Sequence, residues 1–158
     1  MIRRDIEVLL VDDSSADVAL TMHALQASPL VRRVHVACDG EEALNFLFCR
    51  ESYGERDMEP LPELILLDLK LPKVDGLSVL RAIKADARTR GIPVIALTAS
   101  REERDLAASY ELGVNSYIQK PVDFDKFRET VATLALYWVN INQPAPRQAL
   151  GRATGTPR

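Results

Sequence analysis

The chain has 158 residues and a formal net charge of −3, and it is 47% apolar and 27% charged. This composition is typical of a globular protein, and the length is that of one domain with a sizeable core. No apolar run approaches the roughly 20 residues of a membrane span, and acidic residues follow the N-terminus too early for a signal peptide. The small acidic charge does not suggest nucleic-acid binding. We therefore expect a cytoplasmic protein that binds neither a membrane nor a nucleic acid.

Five short apolar segments are predicted to be strands. Apolar side chains fill both faces of segments 6–11 and 63–67, which is typical of strands inside a parallel sheet. The other predicted strands are a weaker one at 34–37, one at 93–97, and one that contains Tyr117 and Ile118.

Helix-forming segments separate these strands. Ser14 or Ser15 can cap the first helix, Ser100 begins a capping-box pattern, and Asp123 can cap the last helix. The predicted helices run from that first cap to before Pro29, over 41–48, over 77–87, from the capping box to Gly113, and from Asp123 to about Trp138. The polar connection 50–62 is long for a link between a helix and a strand.

Five strands that alternate with five helices indicate a doubly wound α/β domain. The commonest topology for this count is a five-stranded parallel sheet in the order 2-1-3-4-5, the flavodoxin-like arrangement. Ligands of such sheets bind at the carboxyl ends of the strands. We expect the functional site at that edge.

Polar side chains follow four of the predicted strands where each strand ends. They are Asp12 and Asp13 after the first strand, Asp68 after the third, Thr98 after the fourth and Lys120 after the fifth. Each could merely cap a turn, but together they place three carboxylates, a hydroxyl and an ammonium around one crevice. The sequence therefore predicts a site built from all five.

This set of groups fits phosphoryl chemistry. Three neighbouring carboxylates repel one another unless a cation lies among them, and oxygen ligands favour Mg²⁺. A carboxylate such as Asp68, beside a divalent cation and Lys120, can attack phosphorus and form an acyl phosphate. Thr98 could donate a hydrogen bond to a phosphoryl oxygen. Neither a GxxxxGK[ST] loop nor a GxGxxG motif is present, so another phosphorylated molecule must supply the phosphoryl group.

At these residues the sequence resembles the response-regulator receiver domain of two-component signalling. The resemblance extends from about Asp5 to Trp138 and includes the segments VDD at 11–13, LLDLKLPKVDG at 66–76, ALTAS at 96–100 and YIQKP at 117–121. It implies that Asp68 accepts a phosphoryl group from the phosphohistidine of a sensor histidine kinase. It also implies a cis peptide bond between Lys120 and Pro121.

The resemblance also implies individual roles. Asp13 would bind Mg²⁺ directly, Asp12 largely through water, and Lys70 through its backbone carbonyl, with Asp68 completing the metal site. Thr98 and Tyr117 resemble the switch pair of the family, in which the hydroxyl moves toward the phosphoryl group and the aromatic side chain turns inward. Lys70 and Ser100 occupy the two positions that tune water access to the acyl phosphate, and the sequence leaves open which way they set its lifetime.

The chain is further similar to single-domain regulators paired with bacterial phytochrome kinases. The long 50–62 connection and a last helix that ends in Leu-Tyr-Trp carry this similarity. We expect a receiver domain over 1–138 and a C-terminal extension over 139–158 that is extended or partly disordered, without a DNA-binding output domain. The message of such a regulator passes to a downstream protein or a phosphotransfer partner.

Two other functions stay open at this point. One is a scaffold receiver that acts without phosphorylation, against which the complete set of polar residues argues. The other is a phosphohydrolase with Asp68 as nucleophile, but such enzymes need a second acid two residues later, where this chain has Lys70. We expect no enzyme activity beyond the protein's own phosphoryl transfer and autodephosphorylation.

The last predicted helix has a broader apolar face than packing on one side of a sheet requires. Leu136, Val139 and Ile141 extend this face toward the C-terminus. Pro144 and Pro146 would hold the following segment extended. We therefore expect a homodimer with Leu136, Val139 and Ile141 in its interface.

Overall fold

The computed structural model describes residues 6–54, 61–99, 102–120 and 123–136, and they form a single five-stranded sheet with five helices. The strands are β1 (Ile6–Val11), β2 (Val31–Ala37), β3 (Leu64–Leu67), β4 (Val94–Thr98) and β5 (Ser116–Gln119). The helices are α1 (Ser15–Gln26), α2 (Gly40–Leu47), α3 (Gly76–Ala85), α4 (Glu103–Glu111) and α5 (Phe124–Leu136).

All neighbouring strands are parallel, in the order β2-β1-β3-β4-β5. This confirms the predicted topology. Because β1 and β3 lie in the middle of the sheet, the carboxylates that follow them lie near its centre. In register, Val11 at the end of β1 pairs with Leu67 at the end of β3. The residues that follow the two strands therefore emerge side by side.

Hydrophobic clusters cover both faces of the sheet. Leu9 and Ile65 belong to one cluster, which also includes buried residues of α2 and α3. Leu10 and Leu66 belong to the other cluster, which includes Leu25 and its neighbours from α1. Alternate residues of the same strand thus enter opposite clusters. This explains why β3 is apolar at every position and β1 at every position except Glu7.

Two helices start at the predicted caps, Ser14 and Asp123, and α2 has a cap, Asp39, that was not predicted. The side chain of Ser14 accepts a hydrogen bond from the backbone of Asp17 at the start of α1, and Asp39 caps α2 in the same way. Asp123 accepts from the backbone N–H of Lys126 in the first turn of α5. These side chains satisfy backbone donors that have no partner within the helix.

The predicted capping box of α4 is wrong. The helix begins at Glu103, and its N-cap is Glu102, whose side chain makes no capping hydrogen bond. The carboxylate of Glu102 instead pairs with the guanidinium of Arg104 and lies 4.0 Å from the ammonium of Lys70. Ser100, the predicted cap, lies outside the described residues.

Several predicted boundaries differ slightly. β2 begins three residues earlier than predicted, and β4 includes Thr98. In α3 the buried residues include Val79, Leu80 and Ile83, whereas Leu77 is only partly buried. The long connection after α2 contains a 3₁₀ turn, Glu51–Tyr53. No helix among the described residues is both long enough and apolar enough to cross a membrane.

Candidate phosphoacceptor and metal site

The sheet fixes three site residues through their backbones. The N–H of Asp12 donates to the carbonyl of Ala37 at 3.1 Å, and the N–H of Asp68 donates to Val11 at 2.9 Å. The N–H of Lys120 donates to the carbonyl of Thr98 at 2.8 Å. Each bond continues the parallel ladder by one residue beyond a strand. The main chain of the site therefore shares the rigidity of the sheet.

Asp12 is the most buried carboxylate of the site, with 1% of its side chain exposed. One of its oxygens, Oδ1, accepts from the backbone N–H of Ser14 at 3.0 Å, and the other, Oδ2, accepts from Nζ of Lys120 at 2.7 Å. Burial raises the pKa of Asp12 above its ordinary value, and the hydrogen bond from Lys120 opposes this change. A cation beside Asp12 thus offsets part of the cost of burying its charge.

Asp68 follows β3 and is nearly as buried as Asp12, with 7% of its side chain exposed. Its Oδ1 accepts from the backbone N–H of Lys70 at 3.0 Å, and its Oδ2 lies 3.2 Å from Nζ of Lys120. The carboxylate is therefore oriented from two sides. Such fixed orientation is what a nucleophile needs.

Lys120 is the centre of the charge network. Its ammonium donates to Asp12 at 2.7 Å, to Asp17 at 2.9 Å and to Asp68 at 3.2 Å. Burial alone would lower the pKa of Lys120, but its hydrogen bonds to Asp12 and Asp17 and the nearby negative charges raise it well above the ordinary value. Lys120 is therefore fully protonated at neutral pH.

Sequence reasoning missed Asp17. This residue lies in the first turn of α1, where Ser14 caps the helix. Because α1 begins at the carboxyl edge of β1, its first turn lies beside the strand-end carboxylates. An acidic residue one turn into a helix that follows such a strand was the available signal. The direction of its side chain toward Lys120 depends on how α1 packs on the sheet.

Three carboxylates form a candidate metal centre. One oxygen from each of Asp12, Asp13 and Asp68 lies within 4.8 Å of the others, and Asp13 is exposed to solvent. With Asp17 and Lys120 the group contains four carboxylates and one ammonium, so its net charge is negative. Oxygen donors with a negative charge and access to water fit a hard divalent cation such as Mg²⁺.

The other predicted site residues lie on β4, on β5 and in the loop after β3. Thr98 ends β4 and is fully buried, while Tyr117 in β5 is partly buried against the cluster on the α2 and α3 side. The side chain of Lys70 extends to α4, where its Nζ lies 3.4 Å from Asp105. The position two residues after Asp68 is thereby linked to α4, a contact that the sequence did not predict.

Some predictions lie outside the described residues. They are the cis bond at Pro121, the extension 139–158, and the proposed dimer residues Val139 and Ile141. Leu136 is the last residue of α5, and only its backbone is described.

Comparison with known proteins agrees with this geometry. Residues 8–132 match the family described as "Response regulator receiver domain". Response regulator Rcp1 from Synechocystis sp. is 40% identical over 132 residues, which are 84% of this chain and 88% of that protein. The Mn²⁺-bound crystal structure of Rcp1 has a TM-score of 0.77 and 37% identity, and the match covers 89% of this chain and 99% of that one.

Two further solved structures are similar. The phosphorylated cyanobacterial phytochrome response regulator RcpA matches with a TM-score of 0.78 and 35% identity over 90% of this chain and 99% of its own. The bacteriophytochrome response regulator AtBRR matches with a TM-score of 0.70 and 44% identity over 90% of this chain and 98% of its own. The matched family covers most of the chain and the whole charge network, so the chain belongs to the response regulator receiver family.

Proposed function

We propose that this protein is a phosphoacceptor switch, in which Asp68 receives a phosphoryl group from a sensor histidine kinase in the cytoplasm. The observation that carries the proposal is the position of Asp68 at the end of β3, held by the N–H of Lys70 and by the ammonium of Lys120. Asp12 and Asp13 lie beside it as candidate metal ligands.

The residues present fit Mg²⁺, which Asp13 and Asp68 would hold, with Asp12 acting through water and Lys70 through its backbone carbonyl. When bound, the cation would supply positive charge against the phosphoryl oxygens. The similar structure of Rcp1 is that of its Mn²⁺-bound form, and Mn²⁺ is a cation of the same class.

The protein's own residues account for the transfer step. An oxygen of Asp68 forms a new bond to phosphorus, while the bond between phosphorus and the donor histidine nitrogen breaks and its electron pair stays on that nitrogen. Lys120 neutralises charge on the phosphoryl oxygens, and the hydroxyl of Thr98 donates a hydrogen bond to one of them. Holding Asp68 in place reduces the entropy that the step would otherwise lose.

The switch would start from Thr98. Once Thr98 gains a phosphoryl acceptor, Tyr117 fills the space that the hydroxyl leaves, and the surface formed by α4, β5 and α5 changes. Tyr117 lies in β5 next to β4, where its register partner is Ala96, two residues before Thr98. This closeness supports the pairing of Thr98 and Tyr117. Phosphorylation would then shift a pre-existing equilibrium.

The same comparison supports the proposed partners. RcpA is named as a phytochrome response regulator and AtBRR as a bacteriophytochrome response regulator. We infer that the kinase of this protein is a bacterial phytochrome and that its output is contact with another protein or phosphotransfer partner. A homodimer through Leu136, Val139 and Ile141 remains part of the proposal.

The alternatives are weaker. A scaffold without phosphorylation does not require three carboxylates around one partly buried lysine. A phosphohydrolase requires an acid where Lys70 stands, and the side chain of Lys70 is directed to Asp105 instead.

The proposal is tested with acetyl phosphate and Mg²⁺. The native protein should gain one phosphate that is sensitive to acid and to hydroxylamine, and chelation of Mg²⁺ should abolish the labelling. Asp68→Asn should not be labelled, whereas Asp75→Asn, a change at an exposed helix cap, should be. Equal labelling of Asp68→Asn would overturn the assignment of the acceptor.

A further inference from the structure

All three donors of the Lys120 ammonium are in use. An ammonium has three N–H groups and no acceptor, and those of Lys120 are directed to Asp12, Asp17 and Asp68. A phosphoryl oxygen at Asp68 therefore gains a full hydrogen bond from Lys120 only when another acceptor is released. The resting protein must have one carboxylate that gives way.

The three acceptors differ in burial. The side chain of Asp12 is 1% exposed, that of Asp68 is 7% exposed, and that of Asp17 is 39% exposed. Release of Asp12 would leave a buried charge without its cation, which is strongly unfavourable. Asp68 is the group that becomes phosphorylated. Asp17 can turn to water at small cost.

We propose that Asp17 is a positioning residue that holds Lys120 in the unphosphorylated protein and yields its hydrogen bond to the incoming phosphoryl group. This inference rests on the proposed phosphoacceptor function. Asp17 keeps the ammonium beside Asp68 before the donor arrives. Its negative charge also competes with the phosphoryl group for Lys120 and repels an anionic donor, so Asp17 slows the loading of Asp68.

Charge and geometry can be separated at this position. Asp17→Asn removes the charge but keeps an oxygen that can accept from Lys120. Asp17→Glu keeps the charge. Since Asp17 also lies in the capped first turn of α1, Asp17→Ser serves as a second neutral variant with a residue that is favourable near a helix start. Asp86→Asn is the control: it also removes one negative charge, but Asp86 follows the end of α3 at the opposite edge of the sheet.

The experiment compares two small donors at neutral pH. Acetyl phosphate is doubly charged and loses acetate when the Asp68 oxygen bonds to phosphorus. Phosphoramidate is singly charged, and its nitrogen, which already carries its protons, leaves as ammonia. Rates of phosphate incorporation at Asp68 are measured with each donor at saturating Mg²⁺. The readout is the ratio of the two rates.

Asp17→Asn and Asp17→Ser should react with acetyl phosphate about three- to tenfold faster than the native protein, with a smaller gain for phosphoramidate. The rate ratio should therefore rise in both neutral variants and stay near the native value in Asp17→Glu and Asp86→Asn. An unchanged ratio in both neutral variants, or equal slowing with both donors, would overturn the inference and leave Asp17 a structural residue. Failure of the native protein to be labelled with either donor would instead overturn the proposed function.

Discussion

Gly76 lies directly against the backbone of Asp68. A Cβ placed on Gly76 would be 2.3 Å from the carbonyl oxygen of Asp68 and 2.4 Å from Cα of Leu69. The N–H of Gly76 also donates to the carbonyl of Leu69 at 3.1 Å. The loop after β3 thus returns to its own start, and only a residue without a side chain fits there. This close return holds the start of α3 against the acceptor.

Gly76→Ala should destabilise the protein by about 2 kcal/mol, because the contact is with main-chain atoms that have little room to move. Urea unfolding measures the change. Gly54→Ala is the matched control, since a Cβ on Gly54 would lie 3.2 Å from the carbonyl oxygen of Glu51 and its φ is −62°. Its effect should stay within about 0.5 kcal/mol. Equal stability of Gly76→Ala and the native protein would contradict the steric argument.

Mg²⁺ should stabilise the native protein, because the carboxylates of Asp12, Asp13 and Asp68 converge only when the sheet is formed. Above its dissociation constant, each tenfold increase in Mg²⁺ should add about 1.4 kcal/mol to the free energy of unfolding. Thermal unfolding across a Mg²⁺ series measures this dependence.

Asp13→Asn should lose most of this dependence while changing the stability without metal by at most about 0.5 kcal/mol, since Asp13 is exposed. Glu103→Gln, an exposed acid in the first turn of α4, should retain the dependence. A full Mg²⁺ response in Asp13→Asn would remove Asp13 from the metal site.

Lys120→Met should destabilise the protein by about 3 kcal/mol in the absence of divalent cations, because it leaves the buried Asp12 and Asp68 without their ammonium partner. Mg²⁺ should recover part of the loss. Lys126→Met, at an exposed position in α5, should have an effect within about 0.5 kcal/mol. Urea unfolding with and without Mg²⁺ measures the stability of both variants. If Lys120→Met is as stable as the native protein without metal, the lysine does not have the expected role.

Asp86 should contribute stability that depends on pH. The guanidinium of Arg88 donates to it at 2.7 and 3.0 Å and holds its pKa below the ordinary value. Since the folded pKa lies below the unfolded one, this contribution is present above about pH 4 and disappears as the pH falls through the folded value.

Asp86→Asn should therefore be about 1 kcal/mol less stable than the native protein at pH 7, and the difference should shrink as the pH falls below about 4. The free energies of unfolding in urea at pH 7 and at about pH 3 give the comparison. Asp125 lies 4.0 Å from Arg128 with 89% of its side chain exposed, so Asp125→Asn should have no measurable effect at either pH. A deficit of Asp86→Asn that persists at low pH would point to packing instead of charge.

The parts of the site that follow from strand ends were predictable. Carboxyl ends of parallel strands meet at one edge, so Asp12, Asp68 and Lys120 could be placed together once the strands were found. Asp17 and the contact between Lys70 and Asp105 could not, because they depend on how helices pack on the sheet and on side-chain direction.

The loop after β3 was likewise predicted only in part. The Asp75-Gly76 pair predicts a turn and a helix start, and both are present. The sequence did not reveal that Gly76 touches Asp68, because this approach depends on the three-dimensional path of residues 69–75. The start of α4 was misplaced because a capping-box pattern alone does not fix a helix boundary to within a residue or two.

The backbone hydrogen bonds at Asp12, Asp68 and Lys120 determine how the site responds to thermal unfolding. These residues are joined to Ala37, Val11 and Thr98 by continuations of the sheet, so they have no opening motion separate from the strands. Amide protons at the three positions should therefore exchange with solvent as slowly as those of the central strands. Inactivation and melting of the sheet should consequently occur at the same temperature, with no intermediate that is folded but has a disordered site.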